Sequence, residues 1–170
     1  MNLKAFTLVE TLIAVAVIAL AIVGPFQIAQ GVLETSYTAR DQLTATALAQ
    51  EGVEYVRKVR DNNYIYNLHT PANRAWLYGL DTCYTYACVV DPGQQTVTSC
   101  GNQTCSTKPL YLSSSNLYTQ VTTNGTQTRF TRAVKLTQIS ATETKVTVTV
   151  SWNYHGARSV VLTEIMDDWL

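Results

Sequence analysis

Hydrophobic and polar positions follow three regimes along this chain. From Phe6 to Phe26 nearly every side chain is apolar, and Glu10 carries the one charge. At about 1.5 Å per residue, a helix of that length crosses a bilayer. From 27 to 62 the run loosens into Ala, Leu, Gln and Glu without Pro, as in Leu43 to Arg57. At about 100° per residue, Ile28, Val32, Ala39, Leu43, Ala47 and Val53 share one arc. Leu33, Tyr37, Leu48, Tyr55 and Val59 share a neighbouring arc; together they read either as one wide core-facing stripe or as two packing contacts, one on the protein's own sheet and one on helices of neighbouring subunits. Arg57, Lys58 and Arg60 suit a helix C-terminus, and Asp61-Asn62-Asn63 is expected to end the helix. Together these segments predict about 85 Å of helix. Gly24-Pro25 is expected to break it by a kink or a melted turn.

The last third switches to period two. Val146, Val148, Val150, Trp152 and Tyr154 alternate with Lys145, Thr147, Thr149, Ser151 and Asn153. Phe130, Val134 and Leu136 alternate in a preceding strand. Asn124-Gly125 and His155-Gly156 mark tight hairpins that join Leu117–Thr123 and Arg158–Met166 to these runs. Between helix and strands, 63–116 shows no period and is expected to be a loop region ordered by cross-links and aromatic anchors. The expected fold is α+β: a long N-terminal α-helix packed on a C-terminal antiparallel meander of about four strands.

The apolar segment follows a short leader, Met-Asn-Leu-Lys-Ala, with one cation at Lys4. It then opens Phe6-Thr7-Leu8-Val9-Glu10. An acid deep in a transmembrane helix costs roughly 2.5–3.5 kcal/mol on insertion scales, so Glu10 requires a partner. Basic leader, Phe-Thr-Leu-Val-Glu and apolar helix together closely resemble the class III signal of type IV pilins and pseudopilins. The resemblance covers about the first 20 residues, the stretch that carries the signal and the start of the helix.

That resemblance implies a pilin-like fold and cleavage by a prepilin peptidase between Ala5 and Phe6. Ala5 stands where the family usually has Gly. Phe6 becomes the methylated first residue, and Glu10 pairs with the N-terminal amine of a neighbouring subunit. The implied parts are a leader (1–5), a transmembrane and filament-core helix (6–26), its amphipathic continuation (27–62), the cysteine-bearing loops (63–116) and the sheet (117–170). The implied partners are other pilin subunits, the peptidase and an inner-membrane assembly platform. The implied location is the inner membrane as a precursor, then an extracellular filament at the cell surface. The function it implies is a structural subunit, a minor pilin; the alternatives are a pseudopilin of secretion or DNA uptake, or a pilus-tip binding module. A cleaved secretory signal and a plain membrane anchor compete, but neither has a use for Glu10.

Composition narrows the function. Twelve basic and 12 acidic residues balance to zero net charge, and no basic patch favours nucleic acid. Cys83, Cys88, Cys100 and Cys105 are an even set, which in an exported domain reads as two disulfides rather than a zinc site. A hairpin centred near Gln94, turned by Asp91-Pro92-Gly93, favours the nested pairs Cys88–Cys100 and Cys83–Cys105. Sequential pairing within each Cys-x4-Cys competes. His69 and His155 lie far apart beside turn residues, and no catalytic constellation, phosphate loop or metal-ligand spacing is present. No enzyme activity, cofactor or metal is therefore expected. Asp81 and Asp91 lack the regular spacing of a calcium loop.

Overall fold

A computed structural model describes residues 7–71, 73–122 and 125–168. The α+β arrangement expected from the sequence is present: one long N-terminal helix and a C-terminal antiparallel sheet. Residues up to Asp41 form one compact unit and residues from Gln42 onward form another.

Helix α1 spans Leu8–His69 and is 62 residues long. It runs through Gly24 and Pro25 as helix, so of the two expected forms of break the melted turn is absent. Proline forfeits one backbone hydrogen bond, but the turns on either side keep theirs. The helix also passes the expected stop at Asp61-Asn62-Asn63. Asn63 is buried, and its amide donates to the carbonyls of Trp76 (3.1 Å) and Tyr78 (3.0 Å). One turn later Asn67 pairs with both backbone groups of Arg74, at 2.9 and 3.0 Å. These two amides act as backbone surrogates for the returning chain, and that tertiary role overrides their weak helix propensity. The helix ends where Pro71 disfavours helical geometry at Thr70.

The segment read as irregular, 63–116, contains real elements. Helix α2 (Thr82–Thr85) leads to β1 (Cys88–Asp91), β2 (Thr96–Ser99) and β3 (Pro109–Ser113). The remaining strands are β4 (Tyr118–Thr119), β5 (Gly125–Gln138), β6 (Glu143–Asn153) and β7 (Ala157–Asp167). Strand β5 organises the sheet. Thr131 lies opposite both Pro109 and Ser151, and Val134 lies opposite both Cys88 and Val148. One edge of β5 therefore carries β6 and then β7, while β3 and β1 follow each other along its other edge.

The hairpin at His155-Gly156 forms as expected, with both residues at positive φ (48° and 128°). The strand expected at Leu117–Thr123 shrinks to the two residues of β4, and β4 pairs with β3 rather than β5. Asn124 lies outside the described residues.

Within the second unit the inner sheet face presents Phe130, Val134, Leu136, Val146, Val148, Val150 and Trp152. Helix α1 covers it with Ala45, Leu48, Ala49, Val53 and Val56. This single stripe runs between the two expected arcs. Leu43, on the first expected arc, is 73% exposed. The stripe is built on small residues, which a count of large apolar side chains misses. At Gly52 a Cβ would sit 2.9 Å from Val148 Cγ1 and 3.3 Å from Arg132 Cδ. Only glycine permits this approach of helix to sheet.

Candidate assembly segment and the cross-linked loops

The exported-filament reading rests on the start of α1. Ala5 and Phe6 lie outside the described residues, so the cleavage and methylation site has no structural account. The first described turn is a capping arrangement. Thr7 Oγ1 accepts from the Glu10 backbone N–H at 3.3 Å, and the Thr7 carbonyl accepts from it at 3.0 Å. Thr7-Leu8-Val9-Glu10 is thus a Thr-x-x-Glu cap, a local signal the sequence reading passed over. A carboxylate in the first turn also gains about 0.3–1 kcal/mol from the helix dipole. That is less than the roughly 2.5–3.5 kcal/mol cost of an acid at the centre of a span. Capping alone does not account for an acid in apolar surroundings.

Beyond Glu10 the helix is apolar on every side. Leu12, Val15, Ile18, Ile22 and Phe26 are all more than half exposed, and none of the most apolar stretch is buried within the protein. Thr11 turns its hydroxyl back onto the Leu8 carbonyl at 2.8 Å, which hides the polar group. Each large apolar side chain gains roughly 1.5–3 kcal/mol on full burial, so this surface needs lipid or protein to cover it. By length and composition α1 is able to cross a membrane. Gly24 and Pro25 lie within it.

The cysteines form two disulfides, but not the favoured nested ones. The bonds are Cys83–Cys88 and Cys100–Cys105. The reason is register. The β1–β2 hairpin exists close to its expected centre, but it pairs Cys88 with Ser99. Cys100 therefore comes one residue later, on the opposite face of the ribbon. Cys83 and Cys88 join the main core, whereas Cys100 and Cys105 pack with Ala87, Val89 and Ala133 in a second, smaller cluster.

Two buried polar side chains tie this region down; the sequence marked Asp91 only as a turn residue and did not mark Arg132. Arg132 on β5 is fully buried. It donates to the Leu48 carbonyl (3.1 Å), the Glu51 carboxylate (2.5 Å) and the Val90 carbonyl (2.8 Å), joining α1, β5 and β1. Its only sequence trace is a charge at an inward position of a period-two run. Asp91 accepts from the Thr119 hydroxyl (2.6 Å) and from the N–H groups of Gln120 (2.7 Å) and Gln94 (3.1 Å). Burial alone raises its pKa, but these donors and the Gly93 N–H outweigh it and hold the carboxyl below its ordinary range.

His69 closes α1, and His155 sits in the β6–β7 turn with its ring 4.6 Å from that of Tyr154. Among the described residues no three His, Cys, Asp or Glu side chains cluster as metal ligands. No protein-family model, curated protein or solved structure matches the chain.

Proposed function

We propose that this chain is a structural subunit of a type IV pilus filament, a minor pilin, which assembles through its N-terminal helix. The observation that carries the reading is an all-round apolar helix, uncovered by its own protein, with a single acid in its first turn. A prepilin peptidase removes residues 1–5 and methylates the amine of Phe6. The subunit waits in the inner membrane through its apolar helix until an assembly platform draws it into the filament. Glu10 of the incoming subunit is attracted to the Phe6 amine of a neighbour, and that attraction offsets the cost of an acid among apolar side chains. Apolar packing between helices then holds the shaft, and the sheet unit faces outward.

Two substitutions test this in a host that processes the precursor. Glu10→Val removes the costly acid, so membrane insertion holds or improves. Glu10→Gln keeps a side chain able to complete the cap but removes the charge. If charge pairing drives assembly, both variants lower the ratio of sheared-filament protein to membrane protein by about tenfold or more, the loss of one charge-assisted contact. If Glu10 only caps the helix, Glu10→Gln assembles like wild type, and the assembly mechanism is wrong.

A further inference from the structure

Among the described residues, strand β7 hydrogen-bonds to β6 alone, so its other edge is open. We propose that this edge pairs antiparallel with β7 of a second copy of the chain, in a twofold contact centred on Val161. The reading does not depend on filament assembly. A twofold contact uses the same patch on both copies and closes on itself, so it is distinct from the head-to-tail contacts that propagate a filament.

The ladder shows which groups lie on the open edge. The Tyr154 N–H donates to the Gly156 carbonyl at 3.0 Å, and the Asp168 N–H to the Thr142 carbonyl at 2.7 Å. Both bonds continue the register of the β6–β7 pairing, in which hydrogen-bonded and non-bonded pairs alternate. Arg158, Val160, Leu162, Glu164 and Met166 therefore bond β6. The main-chain groups of Ser159, Val161, Thr163 and Ile165 point away from it, and among the described residues they take no hydrogen bond. Edges are commonly blunted by proline, lysine, a bulge or a short strand. Strand β7 has 11 residues in unbroken register without Pro or Lys, and its outer face exposes Val161 (57%) and Ile165 (59%).

The order of residues on β7 selects the partner. Outward from Val161 in both directions, Val160 matches Leu162, Ser159 matches Thr163, Arg158 matches Glu164 and Ala157 matches Ile165. Antiparallel pairing of two copies about Val161 thus sets apolar against apolar, hydroxyl against hydroxyl and, twice, Arg158 against Glu164. Each of these is a favourable cross-strand pair. The same register brings the outward main-chain groups of Ser159, Val161 and Thr163 onto one another. The adjacent registers lose the match: one sets Arg158 against Leu162, the other Glu164 against Val160.

Both charges already have a partner within one chain, and each keeps atoms for another. Arg158 donates from Nε to the Tyr154 carbonyl at 3.3 Å, which leaves its terminal nitrogens. Glu164 receives Arg57 on Oε1, which leaves Oε2.

The experiment is cysteine cross-linking of the full chain in detergent under mild oxidation, read on non-reducing gels. All four native cysteines are in disulfides, so an added cysteine is the one free thiol. Val161→Cys meets its own copy across the twofold at a Cα separation of about 5.5 Å, within the range a disulfide spans. Two Thr163→Cys positions lie roughly 14 Å apart along the strands and cannot join. Val161→Cys is therefore expected to form about tenfold more covalent dimer than Thr163→Cys, or better. A mixture of Ser159→Cys and Thr163→Cys chains is expected to cross-link as pairs, and Val161→Pro added to both lowers that yield about tenfold or more. That proline removes an N–H from the open edge and none from the β6 ladder, so the strand itself is retained. Equal yields at 161 and 163, no dimer at either, or a mixed yield unmoved by the proline overturns the proposal.

Discussion

At the scale of single residues, buried polar side chains tie together segments far apart in the chain. Asp91 is the sharpest case, because one carboxylate opens the β1–β2 turn and fastens the chain after β4. Asp91→Ala leaves those N–H groups without an acceptor and is expected to cost about 1–3 kcal/mol in urea unfolding. The pH dependence follows from the sign of the shift. The folded carboxyl titrates below its unfolded value of about 3.9. Its stabilisation is therefore complete above that value and is lost as pH falls through the lower, folded pKa. Melting temperatures measured from pH 6 down to pH 2 are expected to fall less steeply in Asp91→Asn than in wild type. Arg132 is the cationic counterpart. Two of its acceptors are main-chain carbonyls, so it holds helix to sheet by hydrogen bonds as much as by the half-exposed Glu51.

At the scale of elements, close approach decides which face of α1 is used. Gly52 sits against Val148, whose branched side chain is fully buried and cannot swing away. Gly52→Ala gains about 1 kcal/mol of helix propensity. Against this, forcing a methyl to 2.9 Å from Val148 Cγ1 costs about 1–3 kcal/mol of overpacking. The net expectation is a loss of up to about 2 kcal/mol, read from the urea midpoint. Val148→Ala in the same chain makes room and is expected to cancel the overpacking, giving a non-additive pair. The disulfides show the same dependence on local geometry. A shift of one residue in the β1–β2 register moves Cys100 to the other face, and the pairing changes with it.

At the scale of the whole molecule, the division at Asp41 and Gln42 separates two kinds of helix. Every residue of the main core lies at Ala45 or later. A chain beginning at Gln42 is therefore expected to fold without detergent and to melt within about 3 °C of the full-length protein, by circular dichroism. A fall of more than about 10 °C would mean that residues before Gln42 stabilise the sheet unit. Retention of fold by that chain, with loss of membrane association, would assign the two tasks to separate stretches of one helix.

What the sequence determined by itself was whatever repeats along the chain. The apolar N-terminal run, the position of Glu10, the period-two strands β5 and β6 and the His155-Gly156 turn were all legible, because each depends on neighbours within a few residues. Tertiary structure alone decided the rest. It carried α1 past Asn63, since that amide gains two carbonyl partners only when the chain returns beside it. It drew strands from the region read as loops, because β1 and β3 complete the open edge of a distant β5. It chose the disulfides through a hairpin register that spacing alone leaves one residue uncertain. It placed Arg132 inside, where carbonyls from two other elements converge on it. Periodicity records which side of an element is apolar; which partner meets that side, and how closely, depends on contacts between residues far apart in the chain.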